Sequence, residues 1–345
     1  MNQFTPFVFS TGRARNVAKV NAHAGAEAAN LRWLVGFGEK TGYTRAGAAK
    51  VQEVGNLCRV MAFGIEHANK TKKPVVLVSD DVRGFFALVG PPSRWTCKNG
   101  RRLALSDFTA RILASMRQVA APLGGVTCTN DPRVQLAMPW VSYSHFFTMD
   151  FMVMDPPINF PVETHTDVQH KLDYGIIAAA LAAVGAVCRL NRFSVDAPHF
   201  TTGGAGKLAT RRESDKRACS WLIRRWGAKA FRLNPLRDVG DTQVIFSGKA
   251  ILEKADKRLP ALHAALYTAM APTKLQHKDR VAAMGARMVR AALGAKAIAG
   301  QNPRGKSRMT EAQRQRLHRA RKALREVVRE LRSAGGGRAL AIGSK

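Results

Sequence analysis

Val75-Val76-Leu77-Val78 runs straight into Ser79-Asp80-Asp81, and Phe85-Phe86 follow shortly after. Four apolar residues, three of them β-branched, predict a buried strand. Two adjacent carboxylates at its end repel each other unless a cation or bound protons relieve them. A divalent ion is the usual relief. Mg²⁺ or Mn²⁺ takes one or two carboxylates together with the phosphate oxygens of a nucleotide. In doubly wound sheets, ligands collect beyond the carboxyl ends of the strands, where this pair would lie. The plainer alternative is that Ser79 and Asp80 cap a turn and the charges are solvated, since turns favour the same residues.

A second group of reactive residues lies downstream. Glu163, Asp167 and Asp173 surround a helix start, followed by Asn191-Arg192-Phe193, His199, Gly203-Gly204 and Arg211-Arg212. Asp167, His170 and Asp173 cannot all share one helix face. Six residues are nearly two turns with about 120° of excess rotation, so at least one of them points elsewhere. His199, in a glycine-flanked loop, is either a metal or phosphate contact or an ordinary surface histidine.

The elements that would position these groups alternate between strand and helix, which argues for an α/β domain with a largely parallel sheet. TPFVFS (5–10) predicts a strand, followed by the basic turn Thr11-Gly12-Arg13-Ala14-Arg15, and LRWLVGF (31–37) predicts another. Val51, Val54, Leu57, Met61 and Ile65 recur at helical spacing and predict a helix over 50–69. Further helices are expected at 105–121, at 167–184 with Gly185 as the stop, and from about 213 to 226. The aromatic stretch at 133–154 and AVCRLNRF (186–193) are expected to be strands.

Composition narrows the partners. Against 24 acidic residues the chain carries 55 Lys and Arg, a formal net charge of +31. A polyanion would neutralise such an imbalance, and nucleic acid is the obvious one, although phosphates alone carry no sequence information. No apolar run approaches the roughly 20 residues that span a bilayer, so no membrane partner is expected. No signal peptide is recognisable at the amino terminus. Five scattered cysteines without a CxxC pair fit a reducing cytoplasmic compartment and not a cysteine-rich zinc site. After about residue 250 aromatics thin out, and residues 301–345 hold 13 Lys and Arg against 3 acids. Within that segment Thr310 is a good helix N-cap and Gly335-Gly336-Gly337 a good stop. Leu317, Ala320, Leu324, Val327 and Leu331 form one apolar stripe, opposite a face that is almost entirely arginine. The expected organisation is an α/β domain over 1–249 and a basic helical extension over 250–345.

The ordered set FVFSTGRA, VGNLCRVMAF, VVLVSDDVRGF, FFTMDFMVMDPP, LDYGIIAAALAAVGAVCRLNRF and HFTTGGAGKLATRR resembles the DNA-base glycosyltransferases associated with TET/JBP dioxygenases. The resemblance covers about residues 5–215. It implies a GT-A-like, Rossmann-like, mostly parallel sheet flanked by helices, and transfer of a sugar from a nucleotide-diphospho-sugar to 5-hydroxymethylcytosine or 5-hydroxymethyluracil in DNA. UDP-glucose is the leading donor, Mn²⁺ or Mg²⁺ the cofactor, and the cytoplasm of a bacterial or phage-infected cell the location. By the same resemblance Asp80 and Asp81 hold the metal and, through it, the donor diphosphate. Thr11, Arg13 and Arg59 contact the nucleotide or its phosphates, and Asp173 is the catalytic base. His199, Gly203, Gly204 and Arg212 are late-loop contacts to metal and phosphates. The sequence departs from the family at two points. Ser79 replaces the first acidic residue, and Leu172-Asp173 keeps one carboxylate of the usual pair, which makes Asp167 the substitute base.

Two other classes stay open on the residues alone: a sugar-nucleotide enzyme or nucleotidyltransferase with a non-DNA acceptor, and a basic DNA-binding protein without catalysis. In the DNA-directed reading Arg314, Arg321, Arg325 and Arg332 meet phosphates. Each phosphate neutralised steepens the salt dependence of duplex binding by about 0.9 in log–log slope. Deleting residues 301–345 is therefore expected to weaken binding to modified and unmodified DNA alike and to flatten that slope. Filter binding or anisotropy over a salt series checks this.

Overall fold

The structure is a computed structural model that describes residues 4–88, 100–128, 135, 138–162, 166–197, 208–233 and 244–258. In chain order the elements are β1 (Thr5–Phe9), α1 (Val17–Ala24), β2 (Arg32–Val35), α2 (Lys40–Arg45), β3 (Val51–Glu53), α3 (Leu57–Thr71) and β4 (Val75–Ser79). There follow β5 (Gly84–Ala87), β6 (Arg101–Leu103), α4 (Leu105–Arg117), β7 (Leu123–Val126), β8 (Val141–Ser142), β9 (Phe151–Met154), a 3₁₀ turn (Thr166–Lys171) and α5 (Leu172–Val184). The last are β10 (Cys188–Leu190), β11 (Phe193–Asp196), α6 (Leu208–Trp226), β12 (Phe231–Leu233), β13 (Val244–Phe246) and α7 (Gly248–Lys254).

The central sheet has eight strands in the order β3-β2-β1-β4-β9-β7-β10-β8. β1 pairs in parallel with β2 and β4, β2 with β3, and β10 with β7. β9 runs antiparallel between β4 and β7, and β8 runs antiparallel at the edge. The sheet is thus mixed but mostly parallel. Two apolar clusters cover its faces. One gathers α3, α5 and α7 residues such as Met61, Ile176 and Ile251; the other gathers α1 and α4 residues such as Val20 and Ile112 around Trp33 and Phe108. β4 is buried at all five positions, as its apolar text predicts. A small antiparallel sheet, β11-β5-β6, continues directly from the acidic turn. Phe85 on β5 packs against Phe108 and Phe151, so an aromatic cluster fixes the chain just beyond Asp81.

Several elements differ from expectation for local reasons. The helix expected over 50–69 begins only at Leu57, and Val51–Glu53 instead adds a parallel strand to β2. Gly55, with φ of 102°, breaks the chain between the two, and the Asn56 side chain caps α3 by accepting from the Arg59 amide. The second strand stops at Val35, leaving Phe37 outside it. Of the aromatic stretch expected as strand, only Val141–Ser142 and Phe151–Met154 are strands. AVCRLNRF divides between β10 and β11, which belong to different sheets. The expected helix at 167–184 opens with the 3₁₀ turn before α5, and Gly185, at φ of 90°, ends it as expected. The chain divides into compact units Met1–Thr268 and Ala269–Lys345. α7 straddles the boundary expected at 249/250, and its Ile251 and Leu252 are buried in the core of the first unit. From residue 259 on, the basic extension lies outside the described residues.

Two adjacent glycines on β7 allow the layers to approach. A methyl group at Gly124 would overlap Met116 and Ile112 of α4, and one at Gly125 would overlap the Phe147 ring on the opposite face. Overpacking of this kind typically costs about 1–3 kcal/mol. Gly125→Ala is expected to lose stability in that range in urea denaturation. Gly42→Ala is the contrasting case: it sits in α2 with open space around it, and is expected to be neutral or to gain up to about 1 kcal/mol from helix propensity.

Candidate functional site: a carboxylate edge held by Arg13

The strand order 3-2-1-4 reverses direction between β1 and β4, the topological switch point at which open α/β sheets form a crevice. β1 and β4 end there side by side, with Phe9 opposite Ser79. The residues that follow them meet. Asp80 is fully buried, and its Oδ2 accepts hydrogen bonds from Ser10 Oγ at 2.5 Å and Asn16 Nδ2 at 3.1 Å. Its Oδ1 accepts from the Arg13 guanidinium. The other Arg13 terminal nitrogen reaches Asp81 Oδ2 at 2.6 Å. Arg13 therefore clamps both carboxylates with one planar fork.

The clamp is itself held. Tyr43 is buried, its hydroxyl lies 2.5 Å from Ser10 Oγ, and it accepts the Arg13 backbone amide at 3.0 Å. Glu39 accepts the amides of Gly12 and Gly36 through its two oxygens, tying the turn after β1 to the turn after β2. Gly12 adopts φ of 68°, which bends this turn back over the sheet edge. Burial pushes the Asp80 carboxyl above the usual carboxylate range, against the opposing pull of Ser10 and Arg13.

The expected metal meets a specific obstacle. Both Asp80 oxygens are engaged inside the protein and no carboxylate surface is exposed, so Asp80 as placed is closed to an ion arriving from solvent. The Arg13 guanidinium takes the place between the carboxylates that the sequence assigned to Mn²⁺ or Mg²⁺. Asp81 differs: 29% of its side chain is exposed, and it suits a single carboxylate ligand. No group of three or more His, Cys, Asp or Glu side chains suited to a metal occurs among the described residues. His199 lies outside them. The residues present do not fit an ion bridging Asp80 and Asp81.

Other carboxylates share this edge. Because β9 runs backwards, its first residues lie beside the end of β4, and the Asp150 carbonyl accepts the Ser79 amide at 2.9 Å. Asp150 in turn lies within electrostatic reach of Asp173 at the start of α5. Asp173 also neighbours Cys128, two residues beyond the end of β7. Its Oδ1 accepts the Tyr174 amide at 2.9 Å. The residue keeps part of its surface exposed, but protein crowded around the carboxyl removes much of its hydration. That desolvation, opposed by Lys171 and reinforced by Asp150, pushes its pKa up to about 7. Asp167 falls on the 3₁₀ turn and Arg212 on α6, with side chains outside the described residues, as are Gly203 and Gly204 and the arginines at 314, 321, 325 and 332.

Thr11 is exposed in the turn beside Arg13. Arg59 stands apart from the carboxylates, its guanidinium 5.3 Å from the centroid of the Phe37 ring. Phe37 is 64% exposed just past the end of β2, and a side chain at Gly55 would strike its ring. The sequence alone placed Phe37 in a strand, and its role as the exposed platform under Arg59 was not legible. Nor were Ser10, Asn16, Glu39 and Tyr43, whose importance comes from contacts 27 to 70 residues apart. A different concavity, of about 480 Å³, lies at the opposite edge of the sheet and is lined by Arg32, Lys50 and Lys73 without any carboxylate. It is remote from the carboxylates and suits polyanion contact better than chemistry.

No protein-family model, curated protein or solved structure matches the chain. Among the described residues, no helix is long and apolar enough to cross a membrane. The roles of the two aspartates are separable by stability. Asp80→Ala removes the buried acceptor shared by Arg13, Ser10 and Asn16, and is expected to cost about 3 kcal/mol or more in urea denaturation. Asp81→Ala removes one partly exposed ion pair and is expected to cost about 1 kcal/mol.

Proposed function

We propose that the chain is a glycosyltransferase that moves a sugar from a nucleotide-diphospho-sugar to the hydroxymethyl group of a modified pyrimidine in DNA. The observation that carries this reading is the carboxylate edge at the switch point, with Asp81 partly exposed beside Arg13 and Asp173 further along the same edge. It supports a site for a phosphorylated nucleotide with a separate basic residue nearby. The ordered resemblance of residues 5–215 to DNA-base glycosyltransferases supplies the acceptor class. A net charge of +31 and the basic concavity at the far edge favour a polyanionic acceptor over a small neutral one.

In this reading Phe37 and Arg59 hold the nucleotide end of the donor, UDP-glucose being the first candidate. Arg13 and the exposed turn at Thr11 and Gly12 face the diphosphate. Mn²⁺ or Mg²⁺ belongs to the reading through Asp81 alone, and such an ion would offset charge on the departing diphosphate. The acceptor hydroxymethyl oxygen forms a bond to the anomeric carbon as the bond from that carbon to the diphosphate oxygen breaks. The proton lost by the hydroxymethyl group passes to Asp173. A carboxylate with a pKa near the working pH is suited to that role, because it is a stronger base than an ordinary aspartate and still substantially ionised.

The decisive measurement is mass spectrometry of nucleosides after incubating the protein with hydroxymethylated DNA and a panel of sugar nucleotides. A new nucleoside heavier by one sugar is the expected result, and intact hydroxymethyl nucleosides with every donor would refute the proposal. Two further consequences follow from Asp173. The kcat/KM of the wild type is expected to rise with pH to a plateau with a midpoint near 7, and Asp173→Asn is expected to lose activity by about 10²-fold or more. The folded state also binds the Asp173 proton more tightly than the unfolded chain, so this group's contribution to stability falls as pH rises from about 4 to 7. Asp173→Asn is expected to lack that slope in urea midpoints measured across the same range.

A further inference from the structure

Tyr174, the residue after Asp173, lines a cavity of about 380 Å³ together with His145, Phe146, Arg189, Phe246 and Lys249. Phe146 and Tyr174 stack with centroids 3.8 Å apart and planes 10° from parallel. Phe246 meets both edge-on, at 6.4 Å and 6.2 Å. All three aromatics are only partly buried. Arg189 is buried and does not compete for a ligand: it donates to Asn191 Oδ1 and to the Phe146 carbonyl, both at 2.7 Å. It therefore holds the aromatic wall in place. Lys249 stands at the mouth, and its pair with Glu253 is 3.6 Å long between well-exposed side chains. Such a pair is weak and leaves the ammonium free to meet another anion.

An aromatic wall, a few polar groups and a cation at the mouth are the features of a pocket for a planar ring attached to a phosphate. The volume falls in the usual range for small-molecule sites. We propose that this cavity receives the acceptor base of DNA after it has left the stack, with Lys249 on the adjoining phosphate. This deepens the glycosyltransferase reading and rests on it for the identity of the base. A base inside a duplex is out of reach of a buried carboxyl unless it is unstacked. The helix start that carries Asp173 also supplies Tyr174 to the wall, so the wall and the proposed base are neighbours in the chain.

The test needs neither donor nor turnover. Oligonucleotides carrying 2-aminopurine at one unpaired position are titrated with the full-length protein, and fluorescence is read alongside anisotropy. Stacking on an aromatic side chain is expected to quench the probe in the bound complex. Phe246→Leu keeps the apolar volume and removes the ring face, and is expected to weaken binding of the probe base by about tenfold. Lys249→Glu, on an exposed residue that does not endanger the fold, is expected to lower the quenched fraction at equal protein concentration. Binding by anisotropy without quenching, or quenching that survives both substitutions, would overturn the pocket. Titration of the wild type with UDP-glucose is run separately. Quenching without UDP-glucose binding would remove that donor from the glycosyltransferase reading and leave base capture standing. Donor binding without quenching would do the reverse.

Discussion

A fully buried carboxylate at the centre of the sheet edge sets the terms for everything around it. Removing Asp80 from water is costly, and the fold offsets the cost with three donors from one turn: Ser10, Arg13 and Asn16. Those donors hold that turn against the end of β4, and Tyr43 and Glu39 then hold the turn from the other side. The crevice is thus shaped by the need to satisfy one charge. Asp81 inherits its position from this arrangement: it sits one residue further on, shares Arg13, and remains partly open to solvent. The buried aspartate organises the edge, and its exposed neighbour is the one free to meet a ligand.

Charge is distributed unevenly to match. Carboxylates gather at the carboxyl edge, where Asp80 and Asp81, Asp150 and Asp173 come from three different segments, while Arg32, Lys50 and Lys73 gather at the amino edge. A polyanion is repelled by the first edge and drawn to the second. Arg13 tempers the repulsion close to the site. Lys171, within 5.9 Å of the Tyr174 ring centroid, does the same beside Asp173. In the proposed reaction such local cations admit a phosphorylated ligand to an edge whose own charge is negative.

Much of this was legible in the residues, for definite reasons. VVLVS announces a buried strand because no residue in it tolerates water well, and it is buried throughout. Alternating strands and helices predict the mostly parallel sheet. Gly185 ends α5 where a left-handed residue is required. The failures are equally physical. Val51 and Val54 fit a helical period, but three residues of β3 pair with β2, and that gain depends on a neighbour 18 residues away: Trp33 faces Val51. The aromatic stretch before Asp150 looks like strand because strands and core crossings use the same side chains. Phe147 packs over Gly125 without joining a ladder. The Arg13 clamp was missed because an isolated arginine after a glycine turn gives no sign that two carboxylates wait 67 and 68 residues later.

β9 has a consequence for how the molecule comes apart. Strands β3, β2, β1 and β4 form one block of the central sheet, and β7, β10 and β8 form another. Among the described strands, β9 alone is hydrogen-bonded to both, through the four residues Phe151–Met154. The sheet therefore has a seam. Each block is paired within itself, and native-state hydrogen exchange would test whether the two open as distinct cooperative units. The seam also lies between Asp80 and Asp173, so any loosening of β9 alters the spacing between the carboxylate that shapes the crevice and the one proposed to accept a proton.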